Sequence, residues 1–137
     1  MSREASWWVD ANVLLRFLTG DPPELARRAS RLLERAERDG VPLRVHSVVV
    51  AETVWVLQSF YGYSKGEISG ALIPLLEHPA LSIEGARTVI RALQTMASGN
   101  VDFADALLAA AARAHGEGVA SFDKDFRRLD IEWCEPD

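Results

Sequence analysis

The sequence predicts a three-layer α/β domain in which a parallel sheet is flanked by helices. Short apolar segments, too brief for helices, alternate with longer stretches whose apolar residues recur at helical spacing. No repeat, low-complexity tract or Pro/Gly/Ser-rich linker interrupts them, so residues 1–137 read as one domain. At 48% apolar and 26% charged residues, the chain is too hydrophobic for disorder. A chain of this length buries roughly two-thirds of its unfolded surface, enough for a core without cross-links.

The elements follow in order. Ser6–Asp10 (SWWVD) predicts a strand buried on both faces. A short helix from Val13 to Leu18 ends at Thr19-Gly20. Asp21-Pro22-Pro23-Glu24 reads as a helix start, with Asp21 as N-cap and proline at the first position. Leu25, Ala29, Leu32, Leu33 and Ala36 form the apolar stripe of that helix; Arg27, Arg28, Arg31, Glu34, Arg35 and Arg38 form a solvated face, and Asp39-Gly40 stops it. Val41–His46 predicts a second strand and Ser47 a cap for a helix through Gln58. Ser64-Lys65-Gly66-Glu67 is a capping box opening a helix toward Glu77, ended by His78-Pro79. A strand near Ala80–Ile83, a helix over 84–97, an alanine-rich helix from 100–102 to His115, a strand over 119–122 and a last strand at 131–133 complete the reading.

One cysteine, Cys134, excludes an internal disulfide framework and a multi-cysteine zinc site. No apolar run reaches the roughly 18–20 residues of a membrane span. Arg3 offset by Glu4, with Asp10 and Asn12 cutting short the Trp7-Trp8-Val9 run, excludes a signal peptide, so a cytoplasmic protein is expected. Fifteen Lys plus Arg against twenty Asp plus Glu leave a net charge of −5. Bulk charge therefore opposes binding to a polyanion, and a nucleic-acid substrate requires a local reversal of sign.

In a parallel sheet, ligands sit beyond the carboxyl ends of the strands, and acids cluster there. Asp10 closes the first strand and Asp123 the fourth; each is equally suited to cap the following helix. Asn12 suits the turn after Asp10, and Asp125 reads as a solvated or locally paired acid. Glu52 lies in VVVAETVWVL with Val48, Trp55 and Val56 around it on the helical wheel, which predicts a carboxylate on the core side. There it must be protonated, paired with an arginine or bound to a cation. Asp105 sits in VDFADALLAAAARA beside Asp102, the expected N-cap. Four carboxylates from separate segments meeting at one sheet edge would repel, and a divalent cation relieves that repulsion. All-oxygen ligation selects Mg²⁺ or Mn²⁺ over zinc.

Taken in order, WWVDANVLLRFLTGD, VVVAETVWVL, VDFADALLAAAARAHG and ASFDKDF resemble PIN-domain nucleases, most closely the VapC-type toxins of toxin–antitoxin pairs. The likeness spans nearly the whole chain, and its specificity lies in the four segments together. By motif, Asp10, Glu52, Asp105 and Asp123 match the family's acidic quartet, and Asp102 and Asp125 its accessory acids. Asn12 matches the polar residue after the first acid, and Ser121 stands where the family usually has threonine. The resemblance implies a PIN-like sheet of about five parallel strands, Mg²⁺-dependent endoribonuclease activity, a homodimer and inhibition by a VapB-type antitoxin. It makes Asp10, Asp105 and Asp123 the metal ligands, with Glu52 binding through water or orienting the nucleophile, and products carrying a 5′-phosphate and a 3′-hydroxyl. A second ion stays open.

Other readings fit less well. A phosphoacceptor receiver domain needs paired acids after its first strand, and Asp10 has no acidic neighbour in sequence. A haloacid-type phosphatase needs an acid at position 12, where Asn12 stands. A PIN-like RNA- or protein-binding module without catalysis is the remaining alternative. Arg16, Lys124, Arg127 and Arg128 fall near the expected mouth as candidate RNA contacts. His46, His78 and His115 lack metal-ligand spacing and read as surface or helix-end residues. Trp7, Trp8, Trp55 and Trp133 read as core or dimer contacts rather than base-stacking platforms; Tyr61 and Tyr63 suit an interface or an RNA path.

Overall fold

A computed structural model describes residues 6–137; Arg3 and Glu4, used above against a signal peptide, lie outside the described residues. The elements are helix α1 (Ala11–Thr19), α2 (Pro23–Asp39), strand β1 (Leu43–Val45), α3 (Ser47–Ser59), α4 (Lys65–Leu76), β2 (Leu81–Ile83), α5 (Ala86–Gly99), α6 (Phe103–Ala114), β3 (Val119–Ala120), a 3₁₀ turn (Lys124–Arg128) and β4 (Trp133–Cys134). Alternation of strand and helix is as the sequence predicts, and every pairing is parallel.

Among the described residues the strands form two ladders. β1 pairs with β2, matching Leu43 to Leu81, Arg44 to Ser82 and Val45 to Ile83. The segment before α1 joins β1 through a bridge at Trp8, with Val9 N donating to Arg44 O at 3.0 Å and Arg44 N to Trp7 O at 2.8 Å. β3 pairs with β4, matching Val119 to Trp133 and Ala120 to Cys134. Strands of two or three residues suffice because helices carry most of the burial.

Leu14, Leu43, Val45, Val50, Leu57, Ile68, Leu72, Leu93 and Met96 are the centre of the core, each under 2% exposed. α5 packs against α4 and α6, and α1 against α2 and α3. The Ser64–Glu67 capping box is formed in full: Glu67 N donates to Ser64 Oγ and Ser64 N to Glu67 Oε1. Among the described residues no helix is long and apolar enough to cross a membrane.

Three local expectations are corrected. The Ser6–Asp10 segment is not buried on both faces: Val9 is buried, while Trp7 and Trp8 are 47% and 53% exposed. Of these three apolar residues Val9 alone is covered, so an apolar sequence does not imply two covered faces. Asp21 does not cap α2; Pro22 occupies the N-cap position without a side-chain hydrogen bond. Asp21 instead receives the Tyr61 hydroxyl at 3.5 Å, and its carbonyl accepts from Arg16 at 3.2 Å. Ser47 yields the cap of α3 to His46, whose Nδ1 accepts from Val48 N at 3.0 Å.

Gly118 marks the tightest approach in the second ladder. A Cβ at this position would stand 2.9 Å from the Glu132 carbonyl oxygen, the same atom that accepts from Val119 N at 2.8 Å. Gly118→Ala is expected to destabilise the fold by about 1–2 kcal/mol, because overpacking against backbone outweighs the entropy gained in replacing glycine. A lower urea midpoint at unchanged slope is the expected readout.

Candidate functional site

Asp10 follows Val9 in extended backbone and starts α1, its Oδ1 accepting from Val13 N at 3.3 Å. Both Asp10 and Asn12 are exposed. Asp123 plays the same part after β3: its Oδ1 accepts from Asp125 N at 2.9 Å and opens the 3₁₀ turn. Ser121 supports it from both sides, since Ser121 Oγ accepts from Asp123 N at 3.0 Å and Ser121 O accepts from Trp133 Nε1 at 2.9 Å. Each aspartate thus combines the cap role with a place at the carboxyl end of an extended segment.

Asp105 stands in the first turn of α6, partly buried where Asp10 and Asp123 are open to solvent. Its carboxyl is held above the usual carboxylate value, first by burial and then by repulsion from Asp123, Asp102 and Asp125. The fold therefore gathers four acids from two segments around the start of α6. Asp102 holds the N-cap position without a side-chain cap bond and lies 4.0 Å from Lys65 Nζ, which also donates to Asn100 Oδ1 at 3.2 Å. Lys65 escaped sequence reasoning because it belongs to the distant capping box and carries no local signal toward α6. Asp125 lies 3.9 Å from Arg128 Nε.

Asp10 and Glu52 are not among the charges acting on Asp105. Glu52 is exposed, which corrects the expectation of a core-side carboxylate. The buried side of α3 is Val50, Thr53, Val54 and Leu57, whereas Val48 and Trp55, the wheel neighbours of Glu52, are 53% and 67% exposed. A helix apolar on nearly every side gives periodicity nothing with which to choose its inner face. The same helix reaches the head of α6 through other residues: Ala51, Val54, Trp55 and Gln58 line a cleft of about 280 Å³ with Asp102, Phe103 and Ala104, and Glu52 is not part of that lining.

Of the four basic candidates, Arg16 is turned to the Asp21 carbonyl and Arg128 donates to Gly99 O at 3.2 Å while facing Asp125. Arg127 Nε donates to Lys124 O at 3.2 Å, and both residues are exposed beside Asp123 in sequence. Trp7, Trp8 and Trp55 are surface residues rather than core, and Trp133 is half-buried.

The donors are all oxygen, and repulsion at Asp105 is the condition that a hard dication relieves, so the chemistry fits Mg²⁺ or Mn²⁺. Among the described residues, however, no three His, Cys, Asp or Glu side chains converge closely enough to hold a metal ion.

Every strand pairing described is parallel, and Asp10 and Asp123 stand at the ends of extended segments. The PIN domain family model matches residues 8–132, and the chain belongs to that family, whose domains are generally metal-dependent nucleases. No curated protein matches the chain.

The charge state of Asp105 has a measurable consequence. The unfolded chain releases this proton near 3.8, whereas the folded protein holds it to higher pH, so the folded state loses stability as pH rises between the two values. In metal-free buffer Asp105→Asn is expected to melt above the wild type at neutral pH. The gap closes as pH falls below 3.8; equal melting temperatures at neutral pH would contradict the repulsion.

Proposed function

We propose that this PIN-domain protein is a Mg²⁺-dependent endoribonuclease toxin of a type II toxin–antitoxin system, hydrolysing RNA phosphodiester bonds. The observation that carries the reading is the partly buried Asp105, pressed by Asp102, Asp123 and Asp125 at the head of α6. Asp10, Asp105 and Asp123 would hold the ion, with Mn²⁺ able to substitute. Asp10 and Asp123 each engage Oδ1 in a cap, which ties the carboxylate to the backbone and would leave its second oxygen to serve as ligand. When bound, the ion would activate water for in-line attack and stabilise the leaving oxygen.

From α3, Glu52 would bind the ion through water or orient the attacking water. Asn12, Asp102, Ser121 and Asp125 are positioning groups; Ser121 acts by fixing the backbone of Asp123. Arg16, Lys124, Arg127 and Arg128 are proposed phosphate contacts. Lys124 and Arg127 are exposed for it, while Arg16 and Arg128 must leave their carbonyl partners. Regulation by a VapB-type antitoxin and a homodimeric, cytoplasmic protein complete the proposal, as does a sheet extended to about five strands by joining the two ladders.

The absence of a converged trio among the described acids, together with the Arg128–Asp125 pairing, favours the second reading, a PIN-like module that binds RNA or protein without cleaving. A cleavage assay on purified protein separates the two. Asp10→Asn keeps the cap, since asparagine caps as well as aspartate, yet is expected to lower Mg²⁺-dependent cleavage by about 100-fold or more, as are Asp105→Ala and Glu52→Ala. Chelator should abolish activity. RNA binding without cleavage in any divalent metal would establish the module.

A further inference from the structure

Trp8 lies on an open sheet face beside the first acid of the site. The register pairs Trp8 with Arg44 and Arg44 with Ser82, so these three side chains stand in one row. Their alternates Val9, Leu43, Val45, Leu81 and Ile83 are buried on the opposite face. The row itself faces solvent: Trp8 is 53% exposed, and Arg44 and Ser82 are exposed. The Arg44 guanidinium lies over the Trp8 ring at 4.7 Å from its centroid, and the His46 ring stands 6.4 Å away. By the alternation of extended backbone, Asp10 falls on the same face, two residues and about 7 Å beyond Trp8.

We propose that the Trp8–Arg44 pair is a stacking platform for single-stranded RNA, holding a base next to the phosphate presented to Asp10. The proposal rests on the ribonuclease reading and gives that site its substrate-binding surface. A sheet face carrying an aromatic ring, a guanidinium and small hydrogen-bonding groups has the chemistry that single-stranded bases require. Trp8 offers a plane to any base. Arg44, which makes no ion pair among the described residues, offers a planar fork to the phosphate and supplies the positive charge that the net −5 chain otherwise withholds. Asp10 and Glu84 are the acids of this face, one at the end of the Trp8 row and one beyond Ser82.

A second copy of the chain is the less suitable occupant. A stable self-interface needs about 800 Å² per partner with an apolar centre. This face has one large apolar side chain, whereas exposed Val48, Trp55, Phe60 and Leu108 lie on α3, its end and α6.

The test is fluorescence anisotropy of a short labelled oligouridylate in chelator, where cleavage cannot contribute. Trp8→Ala is expected to weaken binding about tenfold, and Trp8→Phe to retain most of it. Arg44→Gln should weaken binding severalfold and lessen its salt dependence. Circular dichroism of each variant reports the fold; should Trp8→Ala be misfolded, Arg44→Gln decides. Wild-type affinity in folded Trp8→Ala, or unchanged affinity and salt dependence in Arg44→Gln, overturns the platform. So does loss of a sedimenting dimer in Trp8→Ala with RNA affinity intact, which makes the face a self-interface. Trp8-dependent binding by a protein that never cleaves supports the platform and defeats the nuclease reading. Metal-dependent cleavage with RNA affinity indifferent to Trp8 does the reverse.

Discussion

The start of α6 places a partly buried carboxylate among like charges, and the arrangement around it depends on how that repulsion is tolerated. Asp105 lies in the first turn, where the unpaired amides and dipole of the helix favour negative charge. Asp102 precedes it, close enough to Lys65 for partial compensation. Asp123 and Asp125 arrive from the other side on the turn after β3. A dication is the agent that would neutralise the whole group. The helix cannot move away from its neighbours, because α6 packs along α5 and against α3. Burial of Phe103 and Ala106 on either side of Asp105 holds the carboxyl in place.

The caps explain how flexible turns carry rigid carboxylates. Asp10 and Asp123 each accept from a backbone amide two or three residues ahead, which ties the direction of the side chain to the path of the main chain. Ser121 adds a second tie at Asp123, and the Trp133 indole fixes Ser121 in turn. The 119–123 segment is therefore ordered by β4 as well as by its own turn. The ordinary cap reading of these residues and the functional one are compatible, since a carboxylate has two oxygens and the cap engages one.

Much of the fold was legible. Ser64 and Glu67 announced α4 because a capping box is a purely local device. The stop of α2 at Gly40 was legible as well, since Gly40 adopts φ 68°, a left-handed conformation that glycine enters without strain. Other readings failed where the deciding partner was remote. The SWWVD run is apolar enough for a strand covered on both faces, yet of its apolar residues only Val9 is buried. Val48 and Trp55 around Glu52 point to the inner side of α3, yet both face solvent. Lys65 and Asp102 are far apart in sequence, and no pattern on either segment foretells their approach.

The sequence alone determined the order and kind of the elements, the parallel class and the identity of the acids at the ends of extended segments. Those properties arise from hydrophobic period, turn residues and caps, which act over a few neighbouring residues. Tertiary structure alone decided which side of each apolar segment is covered, and hence that Trp8 meets Arg44 at the surface. It also decided that Asp105, rather than Glu52, carries the burial and the repulsion. Burial and electrostatic coupling depend on distances between residues that the chain brings together only when it folds.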